Sequence, residues 1–306
     1  MRVTIAICTY NRAELLRETL AGIARQDFPP EEFEVLVIDN NSGDHTAQVV
    51  AEAAGYRPAP RHILETRQGL DHARNRALAE ARGAIVIFAD DDILVEPQWI
   101  AAMAAPLEAD PGRTIGAVGG EVVPVFPDGL PAWVTEWHSP LAFRSDAGPL
   151  PPEHSPMGAN LALPKWVFER LGTFHLGLDR SGANLFAGGD AEMIRRVHAA
   201  GLAVWFAPAG RVRHQITAAR TNFRYIARHA FDSARSRVVD RAGRPGATLY
   251  LLSRLPANAA KAAAFALLAL GNGVVGRSGA AKKALVRAWR SCGYLYQIPR
   301  SCCGKL

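Results

Sequence analysis

Apolar residues fall into short runs separated by turn-forming clusters, and between most runs they recur at helical spacing. Val3 to Cys8 is continuous and apolar, a buried strand. Thr9-Tyr10-Asn11-Arg12 follows, then a helix with Leu15, Leu16, Thr19, Leu20 and Ile23 on one face, ended by Pro29 and Pro30. Phe33 to Ile38 is a second strand. It closes on the cluster Asp39-Asn40-Asn41-Ser42-Gly43-Asp44, with Asp44 placed to cap a helix over Thr46 to Ala54. His62 to Leu64 is a weak third strand, Gly69 to Ala81 a helix, and Ile85 to Phe88 a fourth strand apolar enough to be buried on both faces. Four strand–helix alternations in about ninety residues imply a parallel sheet wound by right-handed crossovers.

The pattern then loosens. Pro97-Gln98-Trp99 opens a helix, and Ile115 to Val125 reads as a strand. Phe126 to Pro156, rich in Pro and Gly, reads as a lid or binding loop. Its Trp133 and Trp137 suit either loop packing or stacking on a ligand. Met157 to Leu163 is a strand, Pro164 to Leu171 a short helix, Asp190 to Ala200 a helix ended by Gly201, and Ala203 to Ala207 the last clear strand. Beyond about residue 220 the chain is basic and helical, with helices expected over Asn222 to Asp240, 247–270 and 279–296.

Charge sharpens this division. The 306 residues carry a net charge of +6. From residue 210 onward eighteen Lys and Arg stand against two Asp, or +16, leaving −10 for residues 1–209. Such an end suits anionic lipid, a phosphorylated acceptor or nucleic acid. Cys8, Cys292, Cys302 and Cys303 form no Cys-x-x-Cys pair, so no zinc site is expected. With a first strand at the very start and no leader pattern, the chain reads as a reducing, cytosolic protein. No apolar stretch reaches spanning length. The nearest, Ala262 to Val275, is interrupted by Gly271-Asn272-Gly273 and reads as an interfacial or core helix.

Candidate chemistry lies where strands end. The fourth strand runs into Asp90-Asp91-Asp92, and open α/β sheets bind ligands in the crevice outside the carboxyl ends of their strands. Three adjacent like charges repel unless a cation offsets them. Carboxylate oxygens suit Mg²⁺ or Mn²⁺, above all when substrate phosphates complete the shell. The competing reading is a solvated acidic turn that caps the next helix. Asp39 and Asp190 add carboxylates at other strand ends or nearby turns, and in a parallel sheet those ends share one edge. A nucleotide needs an acceptor for its base or ribose hydroxyls and a metal for its diphosphate, and transfer to an alcohol needs a base beside the hydroxyl. No Gly-x-Gly-x-x-Gly follows the first strand, which argues against a dinucleotide-dependent dehydrogenase. His72, His138, His154, His175 and His198 lack ligand spacing and read as structural.

Thr9-Tyr10-Asn11-Arg12, Val37 to Ser42, Gly69 with Ala73-Arg74-Asn75, Asp90-x-Asp92, Gly158-Ala159-Asn160 and Gly189-Asp190-Ala191-Glu192 occur in that order. As an ordered set, over about residues 1–220, they resemble the family 2 glycosyltransferases. The resemblance implies the GT-A fold: α/β, Rossmann-like, a mostly parallel sheet flanked by helices, with residues 221–306 as a basic helical extension. It implies that Thr9, Tyr10 and Asp39 line a base and ribose pocket and that Arg74 faces the nucleotide. Asp90 and Asp91 would touch ribose or metal-bound water, and Asp92 would ligate Mg²⁺ or Mn²⁺, with Asp91 as the alternative ligand. His214 matches a late histidine near the diphosphate and joins Asp92 as a metal candidate; its other reading is a surface histidine among Arg211 and Arg213. Asp190 would be the general base, with Gly189 before it where relatives often have Glu, and with Glu192 as the second acid.

The implied reaction moves a sugar, with inversion, from a UDP-, GDP- or dTDP-sugar to a hydroxyl of a glycan or lipid-linked acceptor, in cell-surface polysaccharide or glycolipid synthesis. The basic tail motivates the alternative, a non-catalytic sugar-nucleotide binder or membrane adaptor. It also suggests an anionic membrane surface as partner, at the inner face of the cell membrane. Nucleic acid is not expected, because little aromatic or motif context interleaves with the basic residues.

Overall fold

The computed structural model describes residues 1–134, 146–182 and 184–303, which form two compact units. The first comprises residues 1–125, 146–176 and 189–215. Its elements are β1 (Val3–Thr9), α1 (Ala13–Ile23), β2 (Phe33–Asp39), α2 (Thr46–Glu52), β3 (Arg61–Leu64), α3 (Leu70–Glu80), β4 (Ile85–Asp90), β5 (Ile93–Val95), α4 (Trp99–Glu108), β6 (Ile115–Val125), β7 (Gly148–Pro149), β8 (Asn160–Pro164), α5 (Lys165–Leu171), α6 (Gly189–Ala199) and β9 (Ala203–Gln215). The strand order is β3-β2-β1-β4-β8-β6-β9-β5, with β7 against β9. The strands β3, β2, β1 and β4 are mutually parallel, as the alternation predicts. The sheet is mixed beyond them, because β8 runs antiparallel to both β4 and β6, and β5 antiparallel to β9.

The alternation of side chains along each strand builds two cores. Val3, Ile5 and Ile7 of β1, Phe33, Val35 and Val37 of β2, and Ile85 and Ile87 of β4 pack under α1, α2 and α4, through Leu16, Leu20, Val49, Val50, Trp99 and Met103. Ala6, Leu36, Ile38, Val86 and Phe88 face the other side, against Ala73 and Ala77 of α3, Val167 and Phe168 of α5, and Met193 and Val197 of α6. A sheet covered on both faces has continuously apolar strands, which is why these runs show no polar alternation.

Two strands depart from expectation. The last strand continues past Ala207 to Gln215, because Pro208-Ala209-Gly210, which looks like a terminator, is absorbed by a register shift between Gly120 and Val122 of the neighbouring β6. The short β5 was missed altogether; it follows directly on the aspartates and pairs Ile93 with His214. The strand expected from Met157 begins at Asn160, since Met157 closes a turn by accepting the Asn160 N–H at 3.0 Å.

The second unit comprises residues 126–134, Gly177–Gly188 and Ile216 onward. Its helices are α7 (Ala218–Thr221), α8 (Phe223–Ala242), α9 (Ala247–Ser253), α10 (Leu255–Val274) and α11 (Ser278–Cys302). Gly293 lets α11 approach α8 closely: a Cβ there would fall on the Phe231 carbonyl and lie 3.0 Å from Ala234 Cβ. Arg235 lies over the rings of Phe186, Phe231 and Tyr296. The single helix expected over 247–270 is broken at Arg254, and Gly271-Asn272-Gly273 does not interrupt α10. There Asn272 Nδ2 donates to the Leu268 carbonyl at 2.7 Å, and the helix stops only before Gly276, at φ +74°. Trp133 packs edge-on against Phe223, ring centroids 6.0 Å apart; Trp137 and His138 lie outside the described residues.

Candidate functional site

Register places the acidic groups on one rim of the first unit. Thr9 lies opposite Asp39, Cys8 opposite Asp90, and Asp39 opposite Leu64, all at the carboxyl ends of parallel strands. The two loops beyond this rim are tied together. Asn11 and Asn41 adopt left-handed backbone (φ +53° and +64°), the Gly43 N–H donates to Asn11 Oδ1 at 2.7 Å, and the Asn11 N–H to Ser42 Oγ at 3.0 Å. The N-cap of α2 is His45 rather than Asp44, which accepts instead from the backbone of Thr46 and of Ala13 at the start of α1, both at 3.1 Å. Asp39 is buried, with Oδ1 accepting from the Ser42 N–H at 2.8 Å and Oδ2 lying 3.1 Å from His62 Nε2. Tyr10 stays exposed beside buried Thr9.

The three consecutive aspartates have three different environments. Asp91 is buried and accepts from Thr9 Oγ1 at 2.7 Å and from Arg12 Nη1 at 2.9 Å. Burial pushes its pKa up to about 6, against the pull of Arg12 and Thr9 and with the help of Asp92. Asp92, also buried, has Oδ2 2.7 Å from the same Arg12 nitrogen and Oδ1 2.9 Å from His214 Nε2. Asp90, less buried, joins Asp92 and His214 in a group whose ligand atoms all lie within 4.8 Å of one another. His214 belongs to this rim because β9 alternates: Arg211 and Arg213 point outward, Val212 and His214 inward. Burial disfavours charge on His214, but the hydrogen bond to Asp92 and the negative charge of Asp92 and Asp90 outweigh it and raise its pKa. Two carboxylates and an imidazole fit a hard to borderline divalent ion such as Mn²⁺. Asp91, turned to Thr9 and Arg12, is not part of that group.

Asp190 sits in the first turn of α6 and is held from two sides. Its Oδ1 accepts from the Ala191 N–H at 2.8 Å and its Oδ2 from the Gly158 N–H at 2.7 Å. Position 158 is tight: a Cβ there would fall on Arg74 Nη2 and lie 3.0 Å from Asp190 Oδ2. Buried Arg74 therefore borders the Asp190 carboxylate while its guanidinium stacks 5.2 Å from the Phe174 ring. The next residue, Ala159, accepts from the Asp90 N–H at 3.4 Å. One dipeptide thus links Asp190 to Asp90. Glu192 instead pairs with Arg196 at 2.8 Å.

Two residues with prominent contacts had no role in the sequence reading. Arg12, the only cation in the Thr9–Arg12 stretch, bridges Asp91 and Asp92; that solitary charge after an apolar strand was the available signal. His62 looked like a residue of a weak strand, and its meeting with Asp39 depends on β2–β3 register. Asn160, part of the quoted motif, is wholly buried and braces the sheet. It accepts from Trp99 Nε1 at 2.9 Å and donates to the carbonyls of Gly210 at 2.6 Å and Glu121 at 3.2 Å.

Residues 4–172 match the sequence profile described as Glycosyl transferase family 2. The chain is 28% identical over 206 residues to Glycosyltransferase AglE of Haloferax volcanii, covering 67% of this chain and 64% of AglE. It is 26% identical over 245 residues to the Succinoglycan biosynthesis protein ExoM of Rhizobium meliloti, covering 77% and 74%. Its match to the poly(ribitol-phosphate) β-N-acetylglucosaminyltransferase TarS of Staphylococcus aureus, 36% over 106 residues, spans 34% of this chain and only 18% of that much longer protein. Among solved structures, the mannosyltransferase PcManGT of Pyrobaculum calidifontis, in complex with GDP-Man and Mn²⁺, superposes with a TM-score of 0.59 at 25% identity, covering 94% of this chain and 85% of that one. TarS superposes at 0.54 with 18% identity, over 75% and 39%, a likeness of fold.

Proposed function

The chain belongs to glycosyl transferase family 2 and has the GT-A fold, and from that premise we propose that it moves a sugar from a nucleoside-diphosphate sugar to an acceptor hydroxyl with inversion at the anomeric carbon. Polysaccharide or glycolipid assembly is the setting we favour, in line with the role of ExoM in succinoglycan biosynthesis. The observation that carries the reading is the Gly158-Ala159 link, which holds Asp190 at one end and Asp90 at the other. A candidate base and a candidate cation site thereby share one rim.

In this reading Thr9, Tyr10, Asp39 and Arg74 line the donor's nucleotide, with His62 fixing the Asp39 carboxylate. Asp90, Asp92 and His214 would hold Mn²⁺ or Mg²⁺, the ion seen with GDP-Man in PcManGT being Mn²⁺. When bound, the ion supplies positive charge against the diphosphate leaving group. Asp190 takes the proton of the acceptor hydroxyl as that oxygen attacks C1 from the face opposite the diphosphate, through an oxocarbenium-like transition state. Its two backbone N–H donors hold the carboxylate in place.

The test is transfer from a panel of UDP-, GDP- and dTDP-sugars in the presence of Mn²⁺, with the anomeric configuration of the product read by NMR. Asp190→Asn is expected to lower turnover by roughly 10³-fold while nucleotide binding stays within about twofold by calorimetry. Undiminished turnover in that variant overturns the base assignment, and a retained anomeric configuration overturns the mechanism.

A further inference from the structure

The second unit carries an apolar helix surface that its own packing does not use. On α10, the residues turned toward the rest of the unit are Leu255, Asn258, Ala262, Phe265, Ala266, Ala269 and Asn272, one narrow stripe at helical spacing. Phe265 meets Arg287 of α11 there, 5.6 Å from ring to guanidinium. The outward stripe is Ala260, Ala263, Leu267, Leu270 and Val274, also at helical spacing, where a globular protein places polar residues. Leu267 is 69% exposed, Leu270 67%, Val274 87% and Val275 64%. Lys261 is the only charged residue from Leu255 to Val275. On α9, Leu249, Tyr250 and Leu252 are exposed as well.

Charge identifies the occupant. Residues 241–306 hold eleven Lys and Arg and no Asp or Glu. Arg254 and Arg277 stand exposed at the two ends of α10, Lys261 along it, and Arg287, Arg290 and Arg300 exposed on α11 together with Trp289 and Tyr296. A second copy of this chain would bring the same uncompensated positive charge against itself. A bilayer with anionic headgroups satisfies both features, taking the leucine and valine side chains at the acyl boundary while the basic side chains flanking α10 sit at headgroup level. No helix among the described residues is long and apolar enough to cross a membrane, so the contact is one of lying on the surface. We propose that α10, flanked by Arg254, Lys261 and Arg277, is a docking surface for an anionic lipid bilayer. This holds or fails independently of the transfer reaction.

Flotation of the full chain with phosphatidylcholine vesicles, with and without phosphatidylglycerol, tests it. Co-flotation only with the anionic vesicles is expected, weakened by salt because part of the attraction is screened. Leu267→Glu/Leu270→Glu places charge at exposed positions and is expected to lower partitioning at least about tenfold, with unchanged thermal unfolding. Leu267→Ala/Leu270→Ala, which adds no charge, is expected to lower it less but measurably, by about threefold or more. Absence of flotation with anionic vesicles overturns the proposal, as does flotation indifferent to both double variants. A dimer seen by light scattering that the Glu pair dissolves overturns it too, by giving the face to a second copy.

Discussion

The Gly158 N–H donates to Oδ2 of Asp190 at 2.7 Å, so the carboxylate proposed as the base is aimed by a residue that has no side chain. Any side chain at 158 would meet Arg74 and Asp190 together. Gly158→Ala is therefore expected to displace the Arg74 guanidinium, proposed to face the donor nucleotide, and to move the carboxylate by only a few tenths of an ångström. The donor's KM should rise, with kcat falling by less than about tenfold. Steady-state kinetics in both substrates separate these effects; a fall in kcat with donor KM intact would move the role of Gly158 from donor binding to base positioning.

Arg12 acts as a built-in counterion for Asp91 and Asp92, at 2.9 and 2.7 Å. Removing one partner of a buried charge cluster strands the others. Arg12 is a quarter exposed on its side chain, so the cost of Arg12→Gln should fall at the lower end, roughly 2–3 kcal/mol in metal-free protein. Added Mn²⁺ should then raise the apparent Tm of the variant more than that of the wild type, because the ion offsets carboxylate charge that Arg12 no longer does. Thermal unfolding with and without Mn²⁺ measures both quantities.

What could be read from the chain alone divides along physical lines. The parallel half of the sheet was legible because each buried strand is a continuous apolar run and each connecting helix carries its own stripe. Convergence of Asp39 and Asp90 on one edge follows from parallel strand direction, and register confirms the edge. Beyond that half the sheet was legible only in part. Only three residues form β5, and β9, expected to end at Ala207, crosses Pro208-Ala209-Gly210, where local sequence signals a stop and pairing with β6 overrides it. His214 remained ambiguous for that reason, since its burial depends on a strand that local propensity does not announce. The distinct fates of Asp91 and Asp92 depend on side-chain partners far away in sequence, Thr9, Arg12 and His214, which no spacing rule supplies.

Asn160 shows how a motif residue can serve the scaffold. Asn160→Ala would strand the Trp99 indole N–H and remove the donor shared by the carbonyls of Glu121 and Gly210. The expected loss is about 3 kcal/mol or more in urea unfolding, the scale for buried polar groups left without partners. The Mn²⁺-induced shift in Tm should persist in the protein that remains folded, because Asn160 is outside the Asp90, Asp92 and His214 group.

His229 makes the stability of the second unit depend on pH. It is half-buried on α8, stacked on Tyr225 with ring centroids 6.2 Å apart. Burial first, then the positive charges of Arg180 and Arg290, lowers its pKa to about 4, with Asp232 opposing. The unfolded chain titrates at the ordinary value of 6.5, so between 6.5 and about 4 the unfolded chain binds a proton that the folded chain refuses. Stability contributed by neutral His229 is thus fully present above pH 6.5, falls as the solution is acidified, and is exhausted once pH passes below about 4. The full loss amounts to about 2–3 kcal/mol. In His229→Gln the side chain stays polar but has no proton to gain, so the drop in Tm from pH 7 to pH 4 should be smaller than in wild type. Parallel drops in the two proteins would mean that acidification acts through other groups, and that the basic surroundings of His229 do not control its charge.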